Sequence, residues 1–173
     1  KYWSVPCFGC RTKVSFFEAV SNVENLLNIA VKKRLISDAP LGIFLSGGID
    51  SGLVTAFAAK NSINPVKTMT IGFDDAQFDE RSLSRLVSKR YGTDHSEVVI
   101  NSDDMIDNLH SVIKSYGEPF GDASALPSNI ISKIAAKKLK VVLNGDGGDE
   151  LFAGYRRQQI SPIISKIESY LPF

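Results

Sequence analysis

The sequence predicts an α/β fold in which a parallel sheet is flanked by helices, and three observations predict it. Helical and strand-like patterns alternate, with single helices between strands, which is the mark of βαβ units. The strand runs are nearly continuous in apolar residues, as burial on both faces requires. Two glycine-rich turns each follow directly on a strand. In a parallel sheet both then fall at one edge, beyond the carboxyl ends of the strands, where such sheets bind ligands.

From Phe16 to Ile36 apolar residues recur three and four apart (Phe16, Val20, Val23, Leu27, then Ala30 or Val31). This is an amphipathic helix, and Lys32, Lys33 and Arg34 suit the negative end of its dipole. Asp38 and Pro40 end it. Leu41 to Leu45 is a short buried strand, and Ser46 to Ser51 is the first glycine turn. Gly52 to Lys60 is a helix presenting Leu53, Val54, Phe57 and Ala58. Val66 to Phe73 is the second strand. Glu80 to Tyr91 is helical through Leu83, Leu86 and Val87, with Gly92 placed as its C-cap. Asp94 to Ile100 is the third strand, and Ser102-Asp103-Asp104 opens a helix that runs to about Tyr116. Gly117 to Pro127 reads as a loop, Ser128 to Lys138 as a helix and Lys140 to Leu143 as the fourth strand. Asn144 to Glu150 is the second glycine-rich turn.

Composition bounds the partners. Hydrophobic residues make up 43% of the 173 and charged residues 23%, the balance of an ordinary globular domain. Twenty basic against nineteen acidic residues give a net charge of +1, which argues against a dominant nucleic-acid or acidic-membrane partner. No apolar run approaches the ~20 residues of a membrane span. Two cysteines are too few for a disulfide scaffold and point to a reducing, cytoplasmic compartment. Residues 1–14 lack periodicity and read as a linker from a preceding domain. Residues 158–173 carry apolar residues at helical spacing (Ile163, Ile164, Ile167, Leu171), which reads as the start of a further helical region. The expectation is a domain spanning 15–157 in a protein that continues on both sides.

The first turn is Ser46-Gly47-Gly48-Ile49-Asp50-Ser51. Two glycines let backbone amides approach an anion closely. The serines add hydroxyl donors, and the next helix offers its positive end. This composition suits a phosphate or pyrophosphate cradle, although it matches neither G-x-x-x-x-G-K-[ST] nor G-x-G-x-x-G. An aspartate beside a phosphate calls for a cation between them. The plainer alternative is a tight strand-to-helix turn with Ser51 as cap.

Three motifs in order carry a family resemblance. They are Arg34-Leu35-Ile36-Ser37-Asp38-Ala39-Pro40-Leu41-Gly42, Leu45-Ser46-Gly47-Gly48-Ile49-Asp50-Ser51, and Asn144-Gly145-Asp146-Gly147-Gly148-Asp149-Glu150-Leu151-Phe152-Ala153-Gly154-Tyr155. The second resembles the pyrophosphate loop of the N-type ATP pyrophosphatases. Together the three resemble the synthetase domain of glutamine-hydrolysing asparagine synthetases, over residues 14–157. The resemblance implies a three-layer, Rossmann-like sandwich of the adenine nucleotide alpha hydrolase kind. It also implies a reaction in which a carboxylate, the side chain of aspartate in the type enzyme, attacks the α-phosphate of ATP. Acyl-AMP and pyrophosphate form, and ammonia from glutamine displaces AMP.

On that resemblance Ser46, Gly47, Gly48 and Ser51 hold the pyrophosphate, and Asp50 and Asp149 share Mg²⁺. Leu45 and Ile71 border the nucleotide through backbone, with Asn144 and Gly145 nearby. Asp146 matches an acidic position beside the reacting intermediate. Many relatives have Ser-Gly-Glu where this chain has Asn144-Gly145-Asp146, so the carboxylate here is one methylene shorter. Taken alone, Asp146 also suits a turn and Asp149 a helix N-cap. The family's glutaminase domain begins with a cysteine nucleophile that has no counterpart before Ser15, and its late helical part with a lysine is absent. A glutaminase domain is therefore expected in the whole protein, a homodimer is left open, and neither nucleic acid nor membrane is expected as a partner. NAD or GMP synthetases of the same loop class, or a nucleotide-binding domain without turnover, are the alternatives.

Other candidates are weaker. Cys7-Phe8-Gly9-Cys10 lacks the second pair that a zinc site needs. His95 and His110 stand apart and read as structural. Glu118 and Asp122 lie in a loop at the ligand edge, facing either substrate or solvent. Lys137, Lys138 and Lys140 read as a solvated helix end.

Overall fold

A computed structural model of the chain describes Ser4, residues 13–119, 121–122, 124–155, 157–158 and Ile160. The Cys7–Cys10 pair, most of the expected linker and the apolar residues Ile163, Ile164, Ile167 and Leu171 lie outside the described residues.

Helix α1 covers Phe16–Arg34, and the Ser15 hydroxyl caps it by accepting from the Glu18 amide at 3.2 Å. Only its C-terminal half packs: Val31 is buried with Leu27 and Leu35 beside it, while Phe16, expected on the packed face, is 76% exposed. Strand β1 (Leu41–Phe44) leads into α2 (Ile49–Asn61), which begins three residues earlier than expected because the turn itself coils into the helix. Strand β2 is Lys67–Phe73, and α3 is Arg81–Tyr91, ended by Gly92 in the left-handed conformation (φ 62°) as the sequence requires. Strand β3 (Asp94–Ile100) is followed by α4 (Ser102–Tyr116), whose N-terminus is a capping box between Asn101 and Asp104. Helix α5 (Ala125–Ala135) starts inside the expected loop. Pro127 falls in its first turn, where a missing N–H costs nothing. Strand β4 (Val141–Leu143) and the short α6 (Gly148–Phe152) complete the described chain.

The four strands form one parallel sheet in the order β3-β2-β1-β4. The chain steps from β1 outward to β2 and β3, then crosses back to place β4 on the other side of β1. That reversal sets the topological switch point between β1 and β4. Alternation along the strands feeds two cores. Ile43 and Leu143 join Val31, Phe57, Ala58 and Val66 on the side of α1 and α2. Phe44, Val142, Met69 and Ile71 join Ile131, Ala135 and Leu139 on the side of α5. The result is a helix–sheet–helix sandwich.

Helix α3 packs through its serines rather than its leucines. Leu83 and Leu86 are exposed, and Ser84 and Ser88 are buried instead. The helix comes close to β2, whose buried residues include Thr68 and Thr70, and the Arg81 side chain lies over Gly72. Small residues permit that approach, and their hydroxyls are satisfied locally: Ser84 donates to the Arg81 carbonyl at 3.0 Å, and Thr93 donates to Ser88 at 3.0 Å. Strand β3 is an edge strand, and its first half (Asp94, His95, Ser96, Glu97) is polar rather than an apolar run. Among the described residues no helix is long and apolar enough to cross a membrane.

Candidate functional site

The site is built from the carboxyl end of β1. Leu45 is buried, its amide donates to the Met69 carbonyl at 2.9 Å, and its own carbonyl accepts from the Thr70 hydroxyl. The backbone is thus fixed to β2 up to the residue where it turns. Beyond it the two serines close a small ring. Their hydroxyls lie 2.8 Å apart, the Ser46 amide donates to Ser51 Oγ at 3.1 Å, and the Gly48 amide donates to Ser46 Oγ at 3.1 Å. Ser51 is buried, and its hydroxyl also reaches the Ser46 and Gly48 carbonyls at 3.3 Å. Gly48 is the N-cap of α2 and offers no side chain, so the helix's first-turn amides have no capping side-chain acceptor. Ser51 lies inside the helix and is not its cap.

The second turn interlocks with the first because β4 pairs directly with β1, Ile43 opposite Leu143. A Cβ on Gly145 would sit 2.7 Å from the Ser51 amide and 2.9 Å from Asp50 Cβ. A Cβ on Gly148 would overlap the Asp50 carboxylate. Asp50 therefore reaches across from the first turn and rests on the second. Among the described residues no hydrogen bond or ion pair engages its carboxylate.

Gly147, left-handed at φ 91°, is the N-cap of α6. Asp149 is consequently not the cap but a first-turn residue, and its carboxylate packs against Gly154. Asp146 is exposed and accepts from the Asn144 side-chain amide at 2.6 Å, while its own amide donates back to Asn144 Oδ1 at 3.4 Å. The structure thus brings Asp50 and Ser51 of the first turn against Gly145 and Gly148 of the second, while Leu45, Ser46, Gly47 and Gly48 lead into that contact and Asn144 bonds to Asp146. Ile71 stands on the neighbouring strand with its side chain in the core, and Asp149 follows the glycine that Asp50 touches.

One participant escapes the sequence reading. Glu80, at the start of α3, accepts the Gly47 amide on Oε2 at 3.0 Å. The two residues are 33 apart in sequence, and no local spacing joins them.

Elsewhere, the sequence reading found no nearby partner for His95, but the fold supplies two. Its Nδ1 lies 2.9 Å from the Thr68 hydroxyl, and its Nε2 lies 3.5 Å from Glu97, which Arg85 grips with two 2.6 Å bonds. Burial pushes the His95 pKa below the usual value, and the Arg85 guanidinium holds Glu97 below the usual carboxylate range. This network starts at the amino end of β3, away from the turns, and forms neither a triad nor a metal site. His110 is exposed on α4. Glu118 is solvent-facing, and Asp122 accepts the Ser124 amide at 2.8 Å, shaping the entry to α5. Lys137, Lys138 and Lys140 are exposed. Tyr155 donates to Glu150 at 2.5 Å, which lowers the Glu150 pKa and raises that of Tyr155.

Among the described residues no group of three or more metal-ligating side chains exists. An unpaired Asp50 still fits Mg²⁺ bound to a phosphate, because Mg²⁺ keeps several waters and takes only one or two carboxylates alongside phosphate oxygens.

Fold and site together define a class: a parallel α/β domain with a serine–glycine turn at its switch point. Comparison with known proteins agrees. Residues 22–172 match the family model described as asparagine synthase. The chain is 35% identical over 155 residues to a putative glutamine-hydrolysing asparagine synthetase 2 of Methanocaldococcus jannaschii, covering 89% of this chain and 30% of that protein. It is 35% identical over 158 residues to the glutamine-hydrolysing asparagine synthetase of Homo sapiens, covering 86% of this chain and 28% of that protein. The chain belongs to the asparagine synthase family, and it spans less than a third of the length of these relatives. Among solved structures it resembles the glutamine-dependent NAD⁺ synthetase of Acinetobacter baumannii in complex with ADP, with a TM-score of 0.58 at 21% identity over 84% of this chain and 29% of that one. At that identity the likeness is one of fold.

Proposed function

We propose that this chain is the ATP-binding part of a synthetase domain that makes an amide from a carboxylate, most simply the side chain of aspartate. ATP adenylates the carboxylate, pyrophosphate leaves, and ammonia released from glutamine displaces AMP. The observation that carries the reading is the interlocking of the two turns at the switch point, within a chain of the asparagine synthase family. In this reading the domain spans residues 15–157, flanked by a linker and by the start of a helical region, and a separate glutaminase domain supplies the ammonia.

The chain's residues divide the work. The Ser46 and Ser51 hydroxyls and the Gly47 and Gly48 amides present preorganised donors to the pyrophosphate, both as substrate phosphates and as the leaving group. The uncapped start of α2 adds its positive end. Leu45 and Ile71 set the floor beside the nucleotide, with Asn144 and Gly145 across from them. Asn144 orients Asp146, which faces solvent where the acyl group would enter. Asp50 and Asp149 would hold Mg²⁺, whose role when bound is to neutralise charge on the departing pyrophosphate.

The test is ATP–pyrophosphate exchange by the protein at its natural length. Exchange that depends on aspartate supports the reading. Exchange that ignores aspartate but responds to another carboxylate changes the acceptor, and no exchange with any carboxylate rejects adenylation.

A further inference from the structure

We infer that Glu80 is an internal anion of the first turn: its carboxylate occupies the Gly47 amide while the cradle is empty and must yield when phosphate arrives. This rests on the reading of the turn as a phosphate cradle and adds a residue that sets its affinity.

Three observations lead there. Glu80 stands at the N-cap position of α3, and its side chain makes no bond to the amides of its own helix. Its Oε2 instead takes the Gly47 amide at 3.0 Å, across 33 residues of sequence. The three turn amides are also satisfied unequally. Those of Ser46 and Gly48 donate to serine hydroxyls of the turn itself, which can rotate away, whereas that of Gly47 donates to an ionisable group from another element.

A carboxylate on a backbone amide is a charge-assisted bond, and it uses the donor that a phosphate oxygen would take. Two anions cannot share that amide without repulsion. The swing is local. Glu80 is exposed, and α3 is held independently by fully buried Ser84 and by Leu83, whose side chain meets the Cα side of Gly47. The carboxylate can leave without moving the helix.

The competing role is a neutral tether that merely fastens the turn to α3. The glutamine variant separates the two, because it keeps an acceptor and the side-chain length but removes the charge. The experiment measures inorganic pyrophosphate binding with Mg²⁺ by calorimetry, in the natural-length protein, for wild type, Glu80→Gln, Glu80→Ala and Gly48→Val. The Gly47 amide resonance is followed without ligand. Expected are tighter binding by Glu80→Gln, about fivefold at low salt and less at high salt, tightening in Glu80→Ala as well, and a shifted Gly47 resonance in both. Unchanged or weaker binding in Glu80→Gln overturns the inference, as does an unmoved Gly47 resonance. If wild type binds, Gly48→Val does not, and Glu80→Gln equals wild type, the cradle stands and this inference alone falls. If neither wild type nor Glu80→Gln binds pyrophosphate, the cradle itself is wrong and the inference falls with it.

Discussion

Gly47 and Gly48 are adjacent yet serve different ends. Neither has a left-handed backbone, so neither is glycine for conformational reasons. A Cβ on Gly47 would press on Glu80 and Leu83 at 3.0 Å, whereas one on Gly48 would meet only Ser46 Oγ at 3.2 Å. Gly48 is bare on its outer side, and its extended φ and ψ suit a β-branched residue. We expect Gly48→Val to keep the fold, at a cost of about 1 kcal/mol or less, and to lose MgATP binding in calorimetry. Gly145→Ala should do both kinds of damage. Its methyl meets the backbone of the first turn, which cannot rotate aside, so a loss of about 1–3 kcal/mol in urea unfolding should accompany weakened binding. At this scale the serines, the glycines and Asp50 were legible because they share one short motif. Glu80 was not, since its contact is made by tertiary packing. The N-cap alternative for Asp149 was a local reading, and Gly147 took that position because a left-handed residue was needed there.

Helix α3 shows how an element's extent can be legible while its packed face is not. Its leucines stand at helical spacing, yet the sheet beneath it presents Thr68, Thr70 and Gly72, and the close approach selects Ser84 and Ser88. Periodicity reports that a helix has two sides. It does not report which side meets a neighbour whose own residues are small. The distinction is measurable. Leu86→Ala should change the stability measured by urea unfolding by less than about 0.5 kcal/mol, because Leu86 is 65% exposed. Ile43→Ala, at a fully buried position of β1, should cost about 2–5 kcal/mol. The same α3–β3 contact gives a pH dependence. The folded-state pKa of His95 lies below its usual value, so on acidification the unfolded chain takes up a proton that the folded chain refuses. Stability should therefore be intact above about pH 6.5 and decline as pH falls below it. Glu97, lowered by Arg85, should add a further loss only in the acid range where carboxylates titrate. Thermal unfolding from pH 7.5 to 5 should show the first decline, and His95→Gln should flatten it. An equal decline in the variant would assign it elsewhere.

The whole molecule follows from the order of its elements. Alternation of helix and strand implied a parallel sheet, and two turns after strands implied that both lie at one edge, so the fold class and the edge that the turns share were legible in the sequence. The strand order was not. That β4 lies beside β1, rather than beyond β3, depends on which crossover buries more apolar surface, and it decides whether the two turns meet. They do meet, and that meeting supports the central proposal, that Asp50 and Asp149, remote in sequence, serve one Mg²⁺–phosphate group. The most direct measurement is Mg²⁺-dependent ATP–pyrophosphate exchange in the natural-length protein carrying Asp50→Asn or Asp149→Asn. A shared metal predicts that each variant loses about ten- to hundredfold of the exchange at limiting Mg²⁺, with unliganded stability unchanged. Wild-type exchange by Asp149→Asn at limiting Mg²⁺ would contradict it.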